Sequence, residues 1–166
     1  ETLRKSAPKL KILLATYFGD LRDNLQTAVK LPVDALHVDL ARAPEQLDSV
    51  LKALPDGMIL SAGVVDGRNV WRNDFIASLK LLEKAKTRLG AERFMVAPSC
   101  SLIHTPVSLK SETQLDAELK SWLAFAREKL DEVHTLAAAV GDKRSKVVKK
   151  IGENAKAIAS RRSSPR

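Results

Sequence analysis

The sequence predicts an α/β chain: four βα units of a parallel (β/α)8 TIM-type barrel, roughly a half barrel, followed by a helical segment. Three observations carry this expectation. Four short runs rich in Val, Ile, Leu and Phe stand at residues 10–18, 35–40, 58–65 and 94–97, and each is followed by apolar residues at helical spacing. Strand and helix in regular alternation mean parallel strands joined by right-handed crossovers. Tyr17-Phe18-Gly19-Asp20 after the first run is not the Gly-x-Gly-x-x-Gly turn of an open dinucleotide-binding sheet, so a half barrel fits better.

Taken in order, the first run is followed by Leu21, Leu25, Ala28 and Val29 on one helical face, and the second by a helix over 45–54 carrying Leu47, Val50, Leu51 and Leu54. Phe75, Leu79, Leu82, Ala85 and Leu89 follow the third, with Asp74 placed to cap the helix start and Gly90 to end it. After the fourth, the pattern predicts one long helix over 114–140 through Leu115, Leu119, Trp122, Leu123, Ala126, Leu130, Val133 and Leu136. Its entry, Ser111-Glu112-Thr113-Gln114, has the form of a capping box. Trp122 and Phe125 read as core, and His134 as surface or interface. The continuous apolar character of Ile12-Leu13-Leu14 and Met58-Ile59-Leu60 predicts strands covered on both faces.

Length and charge bound the function. The 166 residues suffice for one domain with a real core. We divide them into a partial barrel over 1–142 and a basic, helical inter-domain segment over 143–166. The net charge of +8 lies in that segment, which holds nine Lys and Arg against Glu153 alone, while the rest is balanced. No aromatic residue in the segment offers a base-stacking face and no nucleic-acid-binding motif accompanies it, so it reads as a solvated helix face. No apolar run reaches membrane-spanning length. A single Cys and a charged start without an apolar core fit a reducing, cytoplasmic location. The start lacks Met and reads as mid-helix, which predicts a piece of something longer.

Functional groups of such barrels gather at the carboxyl ends of the strands. The candidates there are Thr16, Tyr17, His37, Asp39, Asp66, Arg68, Asn69, Cys100 and His104. Cys100 and His104 invite two readings, a nucleophile with its base or half of a metal site, against a third in which Cys100 is a small buried apolar residue. A reactive thiolate needs a helix N-terminus or a cation beside it, and no group in the sequence is identified to orient His104.

Several blocks in register carry a more specific signal. Leu13-Leu14-Ala15-Thr16-Tyr17-Phe18-Gly19, Leu36-His37-Val38-Asp39-Leu40, Leu60-Ser61-Ala62-Gly63-Val64-Val65-Asp66-Gly67-Arg68-Asn69-Val70-Trp71-Arg72 and Ala97-Pro98-Ser99-Cys100-Ser101-Leu102 resemble the cobalamin-independent methionine synthases. Leu115-Asp116-Ala117-Glu118-Leu119-Lys120-Ser121-Trp122 and Arg161-Arg162-Ser163-Ser164-Pro165-Arg166 continue the match. The resemblance implies two similar barrels that move a methyl group from methyltetrahydrofolate polyglutamate to a zinc-bound homocysteine thiolate, making methionine. It places this chain in the second half of the amino-terminal barrel, running into a helical inter-barrel segment. The zinc ligands and most of the homocysteine site would lie in the carboxyl-terminal barrel, and the recognised folate-contacting residues in the first half, both outside this sequence.

By the same resemblance, the zinc barrel's His-x-Cys pair falls here on Leu14 and Thr16, its Glu near Asp39, and its second Cys on Cys100. Two of four ligand positions are then non-ligands, too few for tetrahedral zinc even with His104 nearby. We therefore expect no catalytic, cofactor-binding or metal-binding residue in this chain and no cofactor, with zinc in the parent's carboxyl-terminal barrel only. The expected role is a non-catalytic scaffold part of a zinc-dependent methyltransferase, inactive alone. Its expected partners are the remainder of the parent or another copy through open strand edges, with neither nucleic acid nor membrane. The alternative is a self-associating half-barrel module with no catalytic role.

Overall fold

The computed structural model describes residues 1–165. Its strands β1 (Leu13–Ala15), β2 (Ala35–Asp39), β3 (Ile59–Val65) and β4 (Phe94–Pro98) form one parallel sheet in the order β1-β2-β3-β4. Helices α1 (Thr2–Ser6), α2 (Leu25–Ala28), α3 (Leu47–Ala53), α4 (Phe75–Leu89), α5 (Ala117–Trp122), α6 (Ala126–Val140) and α7 (Arg144–Ser163) complete it. The strands follow one another without skipping a neighbour, as in a half barrel that does not close.

Register assigns the two faces. Leu14, Leu36, Leu60 and Phe94 lie across the four strands, as do Val38, Ala62 and Val96 across three, and both rows belong to the main core under the helices. The alternating rows, Ala15-His37-Ser61-Met95 and Asp39-Gly63-Ala97, face the would-be barrel interior. Central β2 is buried throughout and β3 nearly so. Leu13 of β1, expected to be covered on both faces, is 44% exposed, and Met95 on the other open edge is 40% exposed, because no neighbouring strand covers the interior beside them.

Asp74 caps α4 by accepting from Ala77 N–H at 3.1 Å, and Gly90 ends it at φ 79°, as the sequence indicates. The first helical pattern forms a short turn over Arg22–Asn24 and the single turn of α2. The expected helix over 114–140 is two. The chain leaves α5 after Trp122, and this stretch pairs with the loop after β3: Arg72 N–H donates to Trp122 O at 2.8 Å, and Ala124 N–H to Val70 O at 2.8 Å. Asp116, rather than the 111–114 box, caps α5 through Leu119 N–H at 2.8 Å. Glu128 reaches back to Phe125 N–H to start α6. The break resets the helical phase. Leu130, expected in the core, is 55% exposed, while Lys129 and Glu132 are buried. Trp122 and Phe125 are buried as expected, and His134 is exposed.

Helix α7 packs on α4, α5 and α6 through Val147, Asn154 and Ile158. Asn154 is 2% exposed and makes two bonds to the start of α4: its Oδ1 accepts from Phe75 N–H at 3.1 Å and its Nδ2 donates to Asn73 O at 2.8 Å. Glu132 stands beside it, accepting from Asn73 N–H at 2.9 Å through Oε1, while Oε2 is buried without a partner. Burial pushes the Glu132 carboxyl up to about 7, with the Asn73 bond and the nearby Lys129 acting in the opposite sense.

Two outcomes follow from these buried groups. Asn154→Leu removes both partners of the α4 entry and is expected to cost about 2–3 kcal/mol in a urea unfolding titration. The Glu132 carboxyl keeps its proton in the native state up to about pH 7, whereas its ordinary value is 4.5. Stability should therefore fall as pH rises through that window, by about 3 kcal/mol at most. Glu132→Gln should flatten this slope in melts run from pH 4 to pH 8, on the order of the same free energy; an unchanged slope would assign it to other groups.

Candidate functional site

The carboxyl ends of the strands bring most of the expected polar residues together. Thr16 leaves β1 and donates its hydroxyl to His37 O at 2.6 Å. Tyr17 and Phe18 follow and are about half exposed, at 47% and 50%. Phe18 adopts φ 72°, uncommon for a residue with a side chain, and its N–H is held by the Asp39 carboxylate at 3.2 Å. Its ring carries the Arg68 guanidinium 4.7 Å from its centroid on one side and meets the His104 ring edge-on at 6.0 Å.

His37 sits beneath this aromatic rim, 5% exposed. Its Nε2 lies 3.1 Å from Ser99 O, so that nitrogen carries the proton, and in the neutral ring Nδ1 accepts from the Ser61 hydroxyl at 2.9 Å. One imidazole thus ties β2 to β3 and to the turn after β4. Gly63 makes this approach feasible: a Cβ there would stand 2.8 Å from both His37 Cε1 and Ser99 Cα.

Asp39, 1% exposed, accepts from Phe18 N–H through Oδ2 and from Ala41 and Arg42 N–H through Oδ1. Both oxygens shape the turns after β1 and β2. Asp66 is similarly engaged, accepting from Arg68 N–H and Asn69 Nδ2, each at 2.8 Å. Arg42 lies 3.9 Å from it.

Cys100 is buried under Gly67, whose added Cβ would meet the sulfur at 2.9 Å. Burial pushes its thiol up, Ser99 counters through a hydrogen bond, and Asp39 and Asp66 push the same way as burial. His104 is exposed and turned to Phe18. The geometry therefore joins His37, Asp39 and the Tyr17–Phe18 rim, but it does not join Cys100 to His104 as nucleophile and base. Among the described residues no three His, Cys, Asp or Glu side chains gather in a form that could hold a metal.

Three groups at this end escaped the sequence reading. Ser99 accepts from Gly67 N–H through its hydroxyl at 3.2 Å and from His37 through its carbonyl. Ser61 is the second partner of His37. Lys129, fully buried, donates to Trp71 O at 3.0 Å and to Asn69 Oδ1 at 3.4 Å, and desolvation pulls its ammonium down. Ser99 stands next to Cys100 in the sequence, but neither serine's tie to His37, 62 and 24 residues away, has a local signal. Lys129 gave none, because it sits on a helix whose phase shifts at the break.

A family profile described as "Cobalamin-independent synthase, N-terminal domain" matches residues 1–90. The chain is 50% identical over all 166 of its residues to a protein of Nitrobacter winogradskyi named 5-methyltetrahydropteroyltriglutamate–homocysteine methyltransferase, and covers 22% of it. Proteins of the same name from Coxiella burnetii and Rhodopseudomonas palustris are 52% identical over 157 residues and 48% over 164. They are matched over 95% and 99% of this chain and over 20% and 21% of their own length. The chain spans about a fifth of the relatives it matches.

The buried thiol has a direct readout. Ellman's reagent should label Cys100 on the order of tenfold or more slowly in the folded chain than in the unfolded one, with the folded rate still climbing above pH 9.

Proposed function

Since the chain belongs to the cobalamin-independent synthase family, in its N-terminal domain, we propose that it is a scaffold part of a methyltransferase that carries a methyl group from methyltetrahydropteroyltriglutamate to homocysteine. The observation behind this reading is the half-identical match along the whole chain to proteins of that name, of which it forms about a fifth. The parent acts in methionine biosynthesis in the cytoplasm, and its zinc and homocysteine belong to the other barrel. Among the described residues no helix is long and apolar enough to cross a membrane.

The strand ends support a structural rather than a chemical role. A zinc ion here would need Asp39 and Cys100, at positions where Leu14 and Thr16 supply no further ligand. The Asp39 carboxylate already serves three backbone N–H groups, and the Cys100 sulfur is packed under Gly67 as a thiol. These residues do not fit the metal, and no step is assigned to it in this chain. His37 likewise has both ring nitrogens engaged. What the chain contributes is a rigid wall: a sheet cross-tied at its carboxyl end by His37 and Asp39, with Tyr17, Phe18 and Arg68 on its rim.

A second reading has an observation of its own. The two open edges and the exposed interior residues Leu13 and Met95 would be covered if another copy supplied the missing strands. Light scattering separates the two: a monomer that joins the rest of the parent barrel supports the scaffold reading, and a stable homodimer supports self-association.

The chain alone, given homocysteine, methyltetrahydropteroyltriglutamate and zinc, should form no methionine above background. Zinc-dependent turnover by the pure chain would overturn the proposal.

A further inference from the structure

We propose that the cavity between the loop after β3 and the end of α7 binds a small oxyanion, a carboxylate or a phosphate. It lies beyond the carboxyl ends of β2 and β3 and is about 320 Å³ in volume. This site is independent of the methyl-transfer reading, since none of its residues belongs to the His37–Asp39 cluster.

Four ionisable side chains line the cavity: Asp66, Arg72, Asp74 and Arg161. The two acids are already matched. Asp66 accepts from Arg68 N–H and Asn69 Nδ2, with Arg42 at 3.9 Å. Asp74 caps α4 through Oδ1 and pairs with Arg162 at 3.0 Å through Oδ2.

The two cations differ. The Arg161 guanidinium lies 4.8 Å from the Trp71 ring centroid, a stack that holds its plane, and Nη1 is buried with no acceptor. Arg72 also lines the adjoining cavity with Glu128, Asp131, Glu132 and Glu153, and its charge acts on the Glu132 carboxyl. The unpartnered donor of the cavity is therefore on the Arg161 guanidinium, with Arg72 on the same wall.

A buried guanidinium N–H without an acceptor is unfavourable, and a planar carboxylate or a tetrahedral phosphate offers the paired oxygens that guanidinium groups take up. The loop that presents these groups is fixed from behind. Lys129 donates to Trp71 O and Asn69 Oδ1, adding a third cation beneath the same wall. A cationic ligand would meet this charge directly, and the small volume excludes a macromolecular strand.

Calorimetric titrations with sodium phosphate and with sodium glutarate, at constant ionic strength set with chloride, test the site. The expected result is one saturable site for at least one of the two, with Arg161→Met and Arg72→Met each weakening it by at least about tenfold, the weight of a charge-assisted pair. Which anion binds identifies the source. Arg161→Lys, which keeps the charge and loses the fork, should bind more weakly than the unaltered chain and more tightly than Arg161→Met. In the unaltered chain the Trp71 indole and Arg161 Nε–H resonances should shift on titration, a readout independent of whether the variants fold. Binding of neither anion, Met variants that bind as tightly as the unaltered chain, or shifts confined to other residues would overturn the proposal.

Discussion

The loop between β3 and α4 is the constraint on which much of this molecule turns. Residues 66–75 run over the carboxyl end of the sheet with few backbone partners of their own, and a buried peptide group without one is costly. Helices α6 and α7 supply what is missing. Lys129 takes Trp71 O, Glu132 takes Asn73 N–H, and Asn154 takes both Asn73 O and Phe75 N–H. The end of α5 and the stretch after it add backbone bonds to Arg72 and Val70. The break between α5 and α6 therefore lets the chain run beside the loop it holds.

The same economy of polar groups governs the strand ends. His37, Asp39 and Ser99 look like a catalytic constellation by residue type, yet each available atom has an internal partner. Buried polar networks of this kind specify a geometry when every member is satisfied. Phe18 illustrates the consequence, because its left-handed backbone persists where Asp39 holds its N–H. The aromatic rim is thereby set at a defined angle over the sheet, with Arg68 laid across it.

Much of this architecture was legible from residues alone. The four apolar runs, the Asp74 cap, the Gly90 stop and the parallel alternation are local signals, and they carried through to the structure. The long helix after β4 was misread because Trp122, Leu123 and Phe125 continue its apolar period, and periodicity cannot report that their backbone pairs with Val70 and Arg72 across the fold. Once that break was missed, Leu130 fell on the wrong face and Lys129 and Glu132 stayed invisible as core residues. At the strand ends, composition located His37, Asp39 and Cys100. It did not reveal that Ser61 and Ser99 complete the imidazole's partners, since hydroxyls so common carry no pattern. Exposure of Leu13 and Met95 was likewise outside what an apolar run can express, because it depends on which strand lies alongside.

Asn154 has a temporal meaning as well as a spatial one. It lies 79 residues beyond Phe75, so the entry to α4 obtains these hydrogen-bond partners only when α7 is made. A chain emerging amino-terminus first would carry β1 to β4 and a provisional loop well before that point. Docking of α7 is then the step that converts a paired sheet into a finished one, and a pause in synthesis between residues 75 and 154 would prolong the interval in which the loop's peptide groups face water.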